Sequence, residues 1–333
     1  MSRSLDVYGV GHALVDIQHR VSPAFLTRLD IEKGVMTLID EQRQRQLFEA
    51  LEQEPVVRAS GGSAANSMIG VARFGGRTYY ACRLGTDEWG DFYQKDLEEA
   101  GVRSNPATRG PGRTGQCLVF ITPDADRTMN TFLGVSSGLG VEQLEEAVIA
   151  DSRYIYLEGY LVCSDSGFAT CVEAQKMARR HRAAVSLTLS DPTVVRIFRD
   201  RFAALVAGGV DLLFCNEEEA RAFTGISDRD GSSEALSGLV ARCCITCGAD
   251  GAILCSGRER HRVPAVPVDA VDTTGAGDIF AGGVLHGVTR GLDLVAAGRL
   301  GAHAAALVVS RYGPRLEADL GDAVPGIVAG APG

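Results

Sequence analysis

Short apolar runs alternate along the chain with segments whose apolar positions recur every three or four residues, the signature of strands interleaved with amphipathic helices. The strand-like runs fall at residues 6–10, 77–83, 116–121, 154–157, 184–189, 212–215, 243–246 and 252–255. Several are apolar at successive positions, as in strands covered on both faces, so a parallel sheet with helices on its two sides is expected. Helical spacing occupies residues 165–182 and 217–223, and residues 279–288 read as a buried helix. Two segments break the rhythm, at about 18–37 and 113–133; in the second, Thr114, Gln116, Leu118, Phe120 and Thr122 alternate as a half-exposed strand. These two are expected to pair as a small lid. The Ala/Gly/Pro-rich tail after Gly321 is expected to be loosely held.

Composition narrows the function. A chain of 333 residues with 45% apolar content can bury a large core, as one big α/β domain with an appendage or as two domains. Its net charge of -9 and sequence pI near 5.3 argue against nucleic acid as a partner. No apolar run approaches the roughly eighteen residues of a membrane span, and Met1 to Tyr8 carry no apolar leader segment, so a cytoplasmic location is expected. Nine cysteines, an odd number scattered through apolar runs, do not form a secreted disulfide framework. Cys244 and Cys247 have the spacing of a metal or redox pair, but no second pair completes a site, which leaves buried small hydrophobes as the better account. Lysine is confined to Lys33, Lys95 and Lys176, none of which follows a glycine. Phosphate-binding loops built on Gly-Lys-Ser/Thr are therefore excluded, and any phosphate chemistry must draw its positive charge from backbone amides, a bound divalent ion and an arginine.

Three segments carry candidate chemistry. In Asp272-Thr273-Thr274-Gly275-Ala276-Gly277-Asp278, two glycines let backbone amides converge at the start of the following apolar helix, whose positive end favours an anion. Asp278, in the first turn, is placed to take a proton from a hydroxyl attacking a held phosphate. The same seven residues would also suit an ordinary Asp-rich turn. Ser60-Gly61-Gly62-Ser63-Ala64-Ala65-Asn66 is a second glycine pair opening a helix, where a polyhydroxy ligand could lie against the backbone and hydrogen-bond Asn66; the alternative is a plain N-cap from Ser60 or Ser63. Gly9-Val10-Gly11 suggests a dinucleotide fingerprint, but Leu14 stands at the third glycine position and no helix follows. Asp16, in an otherwise apolar run, would need a polar partner, either a ligand diol or a local turn.

These residues resemble the signatures of the ribokinase-like (PfkB) carbohydrate and nucleoside kinases. One signature is matched by Gly61 to Asn66 continuing to Arg83-Leu84-Gly85-Thr86-Asp87-Glu88-Trp89-Gly90, the other by Asp272 to Asp278 with Phe280, Gly282 and Gly283. The resemblance covers nearly the whole length and implies a single kinase domain over residues 1–333, a doubly wound, mainly parallel sheet flanked by helices with an inserted β-rich lid. It further implies ATP and Mg²⁺, Asp278 as general base, and the amides of Gly275, Ala276 and Gly277 as an anion hole. Asp16, Gly61, Gly62 and Asn66 would hold sugar hydroxyls. Asn216-Glu217-Glu218-Glu219 resembles the family's Asn-x-x-Glu element, with Asn216 and Glu219 organising Mg²⁺ through water. Thr246, Gly248, Gly251 and His303 would lie against ATP, and Asp272 and Thr274, with the carbonyls of Ser310 and Gly313, match positions that in many relatives hold a monovalent cation such as K⁺.

Within the family the pattern is most similar to the bacterial adenosine-kinase-like branch, both in residues 11–17 and in residues 122–130. One position departs: Thr193 follows Thr188-Leu189-Ser190-Asp191-Pro192 where an aromatic able to stack on a base is expected. The sequence thus implies an ATP-dependent kinase acting on a primary hydroxyl of a nucleoside or ribose-type sugar. Two alternatives stay open from the residues, an NAD-dependent oxidoreductase and a catalytically inactive sugar- or nucleotide-binding sensor. Exposed lid strands commonly seek a partner edge, so a homodimer is open beside a monomer.

Overall fold

The computed structural model describes residues 3–51, 55–124 and 126–330. Nine strands form the main sheet, in spatial order Glu259–Val263, Ala252–Ser256, Arg242–Thr246, Leu212–Asn216, Ala184–Thr188, Ser152–Leu157, Leu5–Val10, Thr78–Ala81 and Val102–Ser104. All neighbours are parallel except the edge hairpin at 252–263 and its junction with Arg242–Thr246. The doubly wound, mainly parallel architecture expected from the sequence is the one observed. Its two-sided strands alternate as the apolar runs suggested: Leu212 and Phe214 enter one core layer and Leu213 and Cys215 the other.

From Leu5–Val10 the chain builds the sheet outward through Thr78–Ala81 in one direction, then returns and builds the other way from Ser152–Leu157. The two central strands stay paired to their carboxyl ends, and the connections that leave there, through residues 11–13 and Glu158, run in opposite directions along the sheet. Such a switch point leaves a crevice that helices cannot fill, and ligands bind there in open α/β sheets.

Five further strands, Met36–Leu38, Arg127–Phe132, Gly115–Ile121, Leu14–Arg20 and Val57–Gly61, form a second sheet over that crevice. It draws on more of the chain than the two rhythm-breaking segments, because Leu14–Arg20 and Val57–Gly61 are too short and mixed to stand out. Every residue of Gly115–Ile121 is buried, so the half-exposed reading of this strand is corrected. Leu118 and Phe120 pack into the main core, while Cys117, Val119 and Ile121 cluster with Met129 on the other face. A polar position on the alternating face finds its partner inside the protein: Gln44 of the Glu41–Glu49 helix donates to Gln116 at 2.5 Å. The tail is likewise more ordered than its composition suggested. Residues 324–329 form a short helix, and Leu320, Val324, Ile327 and Val328 pack with Phe74 and Ile279; residues 331–333 lie outside the described residues. Eight cysteines are buried as small hydrophobes, and Cys163 is exposed.

Two helices carry the residues singled out above, Ser63–Arg73 and Ala276–Thr289. They touch backbone to backbone. A Cβ on Gly282 would stand 2.8 Å from the Ser67 carbonyl oxygen and 3.0 Å from Gly70 Cα, closer than real Cβ contacts allow. Gly282→Ala must push these helices apart, and overpacking of this kind costs about 1–3 kcal/mol. The loss is expected as a lowered urea midpoint at unchanged m-value; an unchanged midpoint would show that the approach is not tight.

Candidate active site

The paired helices bring their first turns together at the switch point. Ser63 Oγ donates to Asp278 Oδ1 at 2.6 Å and Asn66 Nδ2 donates to Oδ2 at 3.1 Å. Ser63 is thus not the helix cap; Gly62 holds that position at φ 103, where a side chain would strike the His12 carbonyl at 2.3 Å. Burial raises the Asp278 pKa from 3.8 to about 6, and the bonds from Ser63 and Asn66 oppose the rise. The result is a carboxylate ionised at neutral pH but more basic than a surface aspartate.

Asp278, Gly62, Ser63 and Asn66 line one cavity of about 540 Å³ together with Asp16, Thr274, Gly275 and Gly277. Its size suits a small organic ligand. Gly275 takes φ 75 to start the Ala276–Thr289 helix, and a side chain there would stand 2.6 Å from Pro314. Gly277 has open space where a side chain would stand, so a ligand can approach its amide. The first helical turn leaves the Gly277 and Asp278 amides without helical acceptors, whereas the Ala276 amide donates to the Thr273 carbonyl at 3.2 Å. Of the expected anion-hole amides, that of Ala276 is therefore engaged inside the turn.

Asp16 faces Gly61 so closely that a Cβ on the glycine would lie 2.2 Å from Oδ2. Burial raises the Asp16 pKa to about 7; Arg315 and Arg127 lower it and Asp278 raises it further. Asp16 is not paired within a local turn and faces the cavity. Two buried tyrosines hold the loops around it: Tyr93 donates to the Gly61 carbonyl at 2.9 Å and Tyr80 to the His12 carbonyl at 2.8 Å.

Asn216 and Glu219 line the same cavity and cap the Glu217–Thr224 helix reciprocally. Glu219 N donates to Asn216 Oδ1 at 2.8 Å, Asn216 N donates to Glu219 Oε2 at 3.0 Å, and Asn216 Nδ2 donates to Oε1 at 2.7 Å. Burial raises the Glu219 pKa to about 7, with Asp191 and Asp278 adding to the rise. This excess of negative charge fits a divalent ion. Among the described residues no group of three His, Cys, Asp or Glu could cage one directly, which leaves phosphate oxygens and water as its other ligands.

Thr246 ends the strand Arg242–Thr246, and Gly248 and Gly251 form the turn after it. Gly248 has open space above it, while Gly251 at φ 86 abuts the Val263 carbonyl at 2.1 Å from an added Cβ, so its role is to shape the hairpin. His303, half-buried in the Leu294–Val309 helix with its pKa lowered by burial, does not line the cavity. All four lie outside the wall of this cavity.

At the expected alkali-ion positions, the Asp272 carboxylate is already engaged by the protein itself. Asp272 Oδ1 accepts from Thr274 N at 3.0 Å, and Oδ2 accepts from Gly313 N at 2.8 Å. Arg127 Nη2 stands 2.5 Å from the same Oδ2, with the two side chains only 6% and 2% exposed. This is a charge pair without aligned hydrogen-bond geometry. A second cation about 4 Å from that guanidinium would cost about 4 kcal/mol at an effective dielectric near 20. Ser310, expected to contribute its carbonyl, caps the Leu294–Val309 helix.

Several cavity residues escaped the sequence reading. Glu158, 1% exposed, accepts from Ala64 N at 3.0 Å and His12 N at 3.3 Å, and burial raises its pKa to about 8. His12 lies against Ser136, its pKa lowered to about 4 by burial, and is neutral. Their only sequence signal was position, just past two central strands. Met36, Leu38, Met129, Leu133 and Tyr160 give the cavity an apolar side. Thr193 is exposed and outside the cavity wall, whereas Tyr160, thirty-odd residues upstream in the chain, lines the cavity. The three lysines are tied up elsewhere, Lys33 with Asp124 and Asp126, Lys95 with Glu99 and Lys176 with Glu173. The dinucleotide alternative fails structurally, since Gly9-Val10-Gly11 leads into the lid strand Leu14–Arg20 and not into a helix.

Comparison with known proteins agrees with this arrangement. The pfkB family carbohydrate kinase model matches residues 35–319. An adenosine kinase of Saccharomyces cerevisiae is 26% identical over 92% of this chain and 95% of its own length, and a ribokinase of Staphylococcus aureus is 25% identical over 82% and 89%. Among solved structures, an adenosine kinase from Sinorhizobium meliloti superposes with a TM-score of 0.90 at 37% identity, covering 96% of this chain and 98% of that one. A probable sugar kinase from Rhizobium etli gives 0.91 at 36% identity, covering 99% of each. With both glycine turns converging on one carboxylate and the family model spanning most of the sequence, the chain belongs to the pfkB family of carbohydrate kinases and is an ATP-dependent sugar or nucleoside phosphotransferase.

Proposed function

We propose that the acceptor is a ribosyl nucleoside, its sugar held by Asp16 and Asn66 and its primary hydroxyl directed at Asp278. The observation that carries this reading is the two-sided cavity, with carboxylates and open glycine backbone on one side and Met36, Leu38, Met129, Leu133 and Tyr160 on the other. A free pentose has hydroxyls for the first side and nothing for the second. A base burying about 100 Å² of apolar face there would contribute about 2.5 kcal/mol, roughly 70-fold in affinity. Adenosine kinases are among the proteins this chain resembles.

In the reaction, Asp278 takes the proton of the primary hydroxyl as that oxygen forms its bond to the γ-phosphorus of ATP and the bond to the ADP oxygen breaks. The Gly277 and Asp278 amides and the helix start hold the charge on the transferred group. Asn216 and Glu219 would orient Mg²⁺ through water, the ion neutralising phosphate charge when bound. Asp16, close to Arg315 and Arg127 in charge, accepts sugar hydroxyl hydrogen bonds.

ADP release measured across nucleosides, ribose, fructose and ketodeoxy-sugar acids tests the acceptor. Nucleosides should exceed ribose in kcat/KM by roughly 70-fold, and Met129→Ala should narrow that gap by raising nucleoside KM. Equal turnover of ribose and nucleosides would contradict the reading.

Asp278→Asn should lower kcat by about 10²–10⁴-fold. In the native enzyme kcat/KM should fall as pH drops through about 6, where the base is protonated. Stability should move the other way. Because the folded-state pKa lies above the usual 3.8, the native state binds this proton more tightly, so stability falls as pH rises from 3.8 to about 6. Asp278→Asn is thus expected to raise the melting temperature at pH above 6 while leaving it unchanged below 3.8. Melting curves showing destabilisation at neutral pH would contradict the assigned environment.

A further inference from the structure

Arg127 opens the lid strand Arg127–Phe132, hydrogen-bonded opposite Ile121, yet its side chain reaches the main body. There it meets Asp272, the residue that enters the anion turn. Asp272 is itself a brace. Through Oδ1 it holds the Thr274 amide, and through Oδ2 the Gly313 amide, next to the Pro314 against which Gly275 rests. The main-chain amides of Val271 and Asp272 both donate to the Val309 carbonyl, at 2.7 and 3.1 Å, fixing the carboxylate to the end of the Leu294–Val309 helix. A carboxylate this buried needs a counter-charge, since an isolated buried ion is strongly disfavoured. The facing groups offer one. Arg127 lies beside it, Asp16 and the Tyr312 ring flank the guanidinium, and the ring is about as far from Arg20 as from Arg127, 6.0 Å in each case.

We infer that Arg127 is a built-in cation: it supplies, from the lid, the positive charge that sets Asp272 and with it the amides of the phosphate-binding turn, so that this kinase works without a monovalent ion. Arg127 acts here as a positioning residue. Its charge links the lid strand to the turn holding the transferred group, and the inference does not depend on which alcohol is the acceptor.

The test compares potassium chloride with choline chloride at matched ionic strength, in two readouts, ADP release and melting temperature. For the native protein, potassium should alter the rate by less than about twofold and leave the melting temperature unmoved, as an ion with no site shifts no equilibrium. Arg127→Ala should lose roughly 10²-fold in rate in choline, recover part of it in potassium or guanidinium, and melt higher in potassium by mass action. Arg127→Lys, which keeps the charge, should remain indifferent to potassium and serves if the alanine variant fails to fold. Tenfold or greater activation of the native enzyme by potassium would overturn the inference. So would a folded Arg127→Ala that is as active as the native enzyme in choline, or one that is inactive and unresponsive to both cations. Failure of the nucleoside reading is separate: nucleosides would then give no turnover in either salt, while the melting curves still report on Arg127.

Discussion

The site depends on one close approach. Gly282 on the Ala276–Thr289 helix lies against Ser67 and Gly70 on the Ser63–Arg73 helix with no room for a side chain between them. Two helices that touch at backbone distance cannot slide or rotate freely, so their first turns are fixed relative to each other. This sets Asp278 between Ser63 and Asn66 and aims both helix starts at the crevice where the sheet reverses direction. A looser, side-chain-mediated contact would leave the carboxylate its chemistry and take away its address.

The second constraint is electrostatic. Asp16, Glu158, Glu219 and Asp278 all have pKa values raised chiefly by burial, and the Asp278 charge raises the other three further. Such a cluster is tolerable because each carboxylate has donors or a nearby arginine, and burial leaves Asp278 more basic than a surface aspartate while still ionised at neutral pH, as the proposed proton acceptor must be. With all three lysines on surface ion pairs, the positive side of the site consists of helix-start amides and arginines. Arginine stays charged even when buried, which suits it to face Asp272 from a lid strand.

Much of this was legible in the sequence. The two-faced apolar runs specified a covered parallel sheet because every residue in such a strand meets a hydrophobic layer. The glycine turns announced themselves because a tight helix start and an open backbone both require glycine. What stayed hidden depends on distance in the chain. Glu158, His12 and Tyr160 reach the cavity only because the strand order reverses between Leu5–Val10 and Ser152–Leu157, and no local pattern encodes a neighbour about 146 residues away. Gln116 misled for a related reason: its partner Gln44 makes a polar position buried, so alternation looked like exposure. Asp272 matched a cation-binding position by motif, but the motif does not include Arg127, and the pair exists only after the lid folds over the body.

A structure of the protein with a nucleoside and a non-hydrolysable ATP analogue tests the central claim most directly. The primary hydroxyl oxygen should lie within about 2.6–3.2 Å of the Asp278 carboxylate, with the terminal phosphate on the Gly277 and Asp278 amides. A hydroxyl bound elsewhere in the cavity, with Asp278 still held by Ser63 and Asn66 and facing only water, would contradict it.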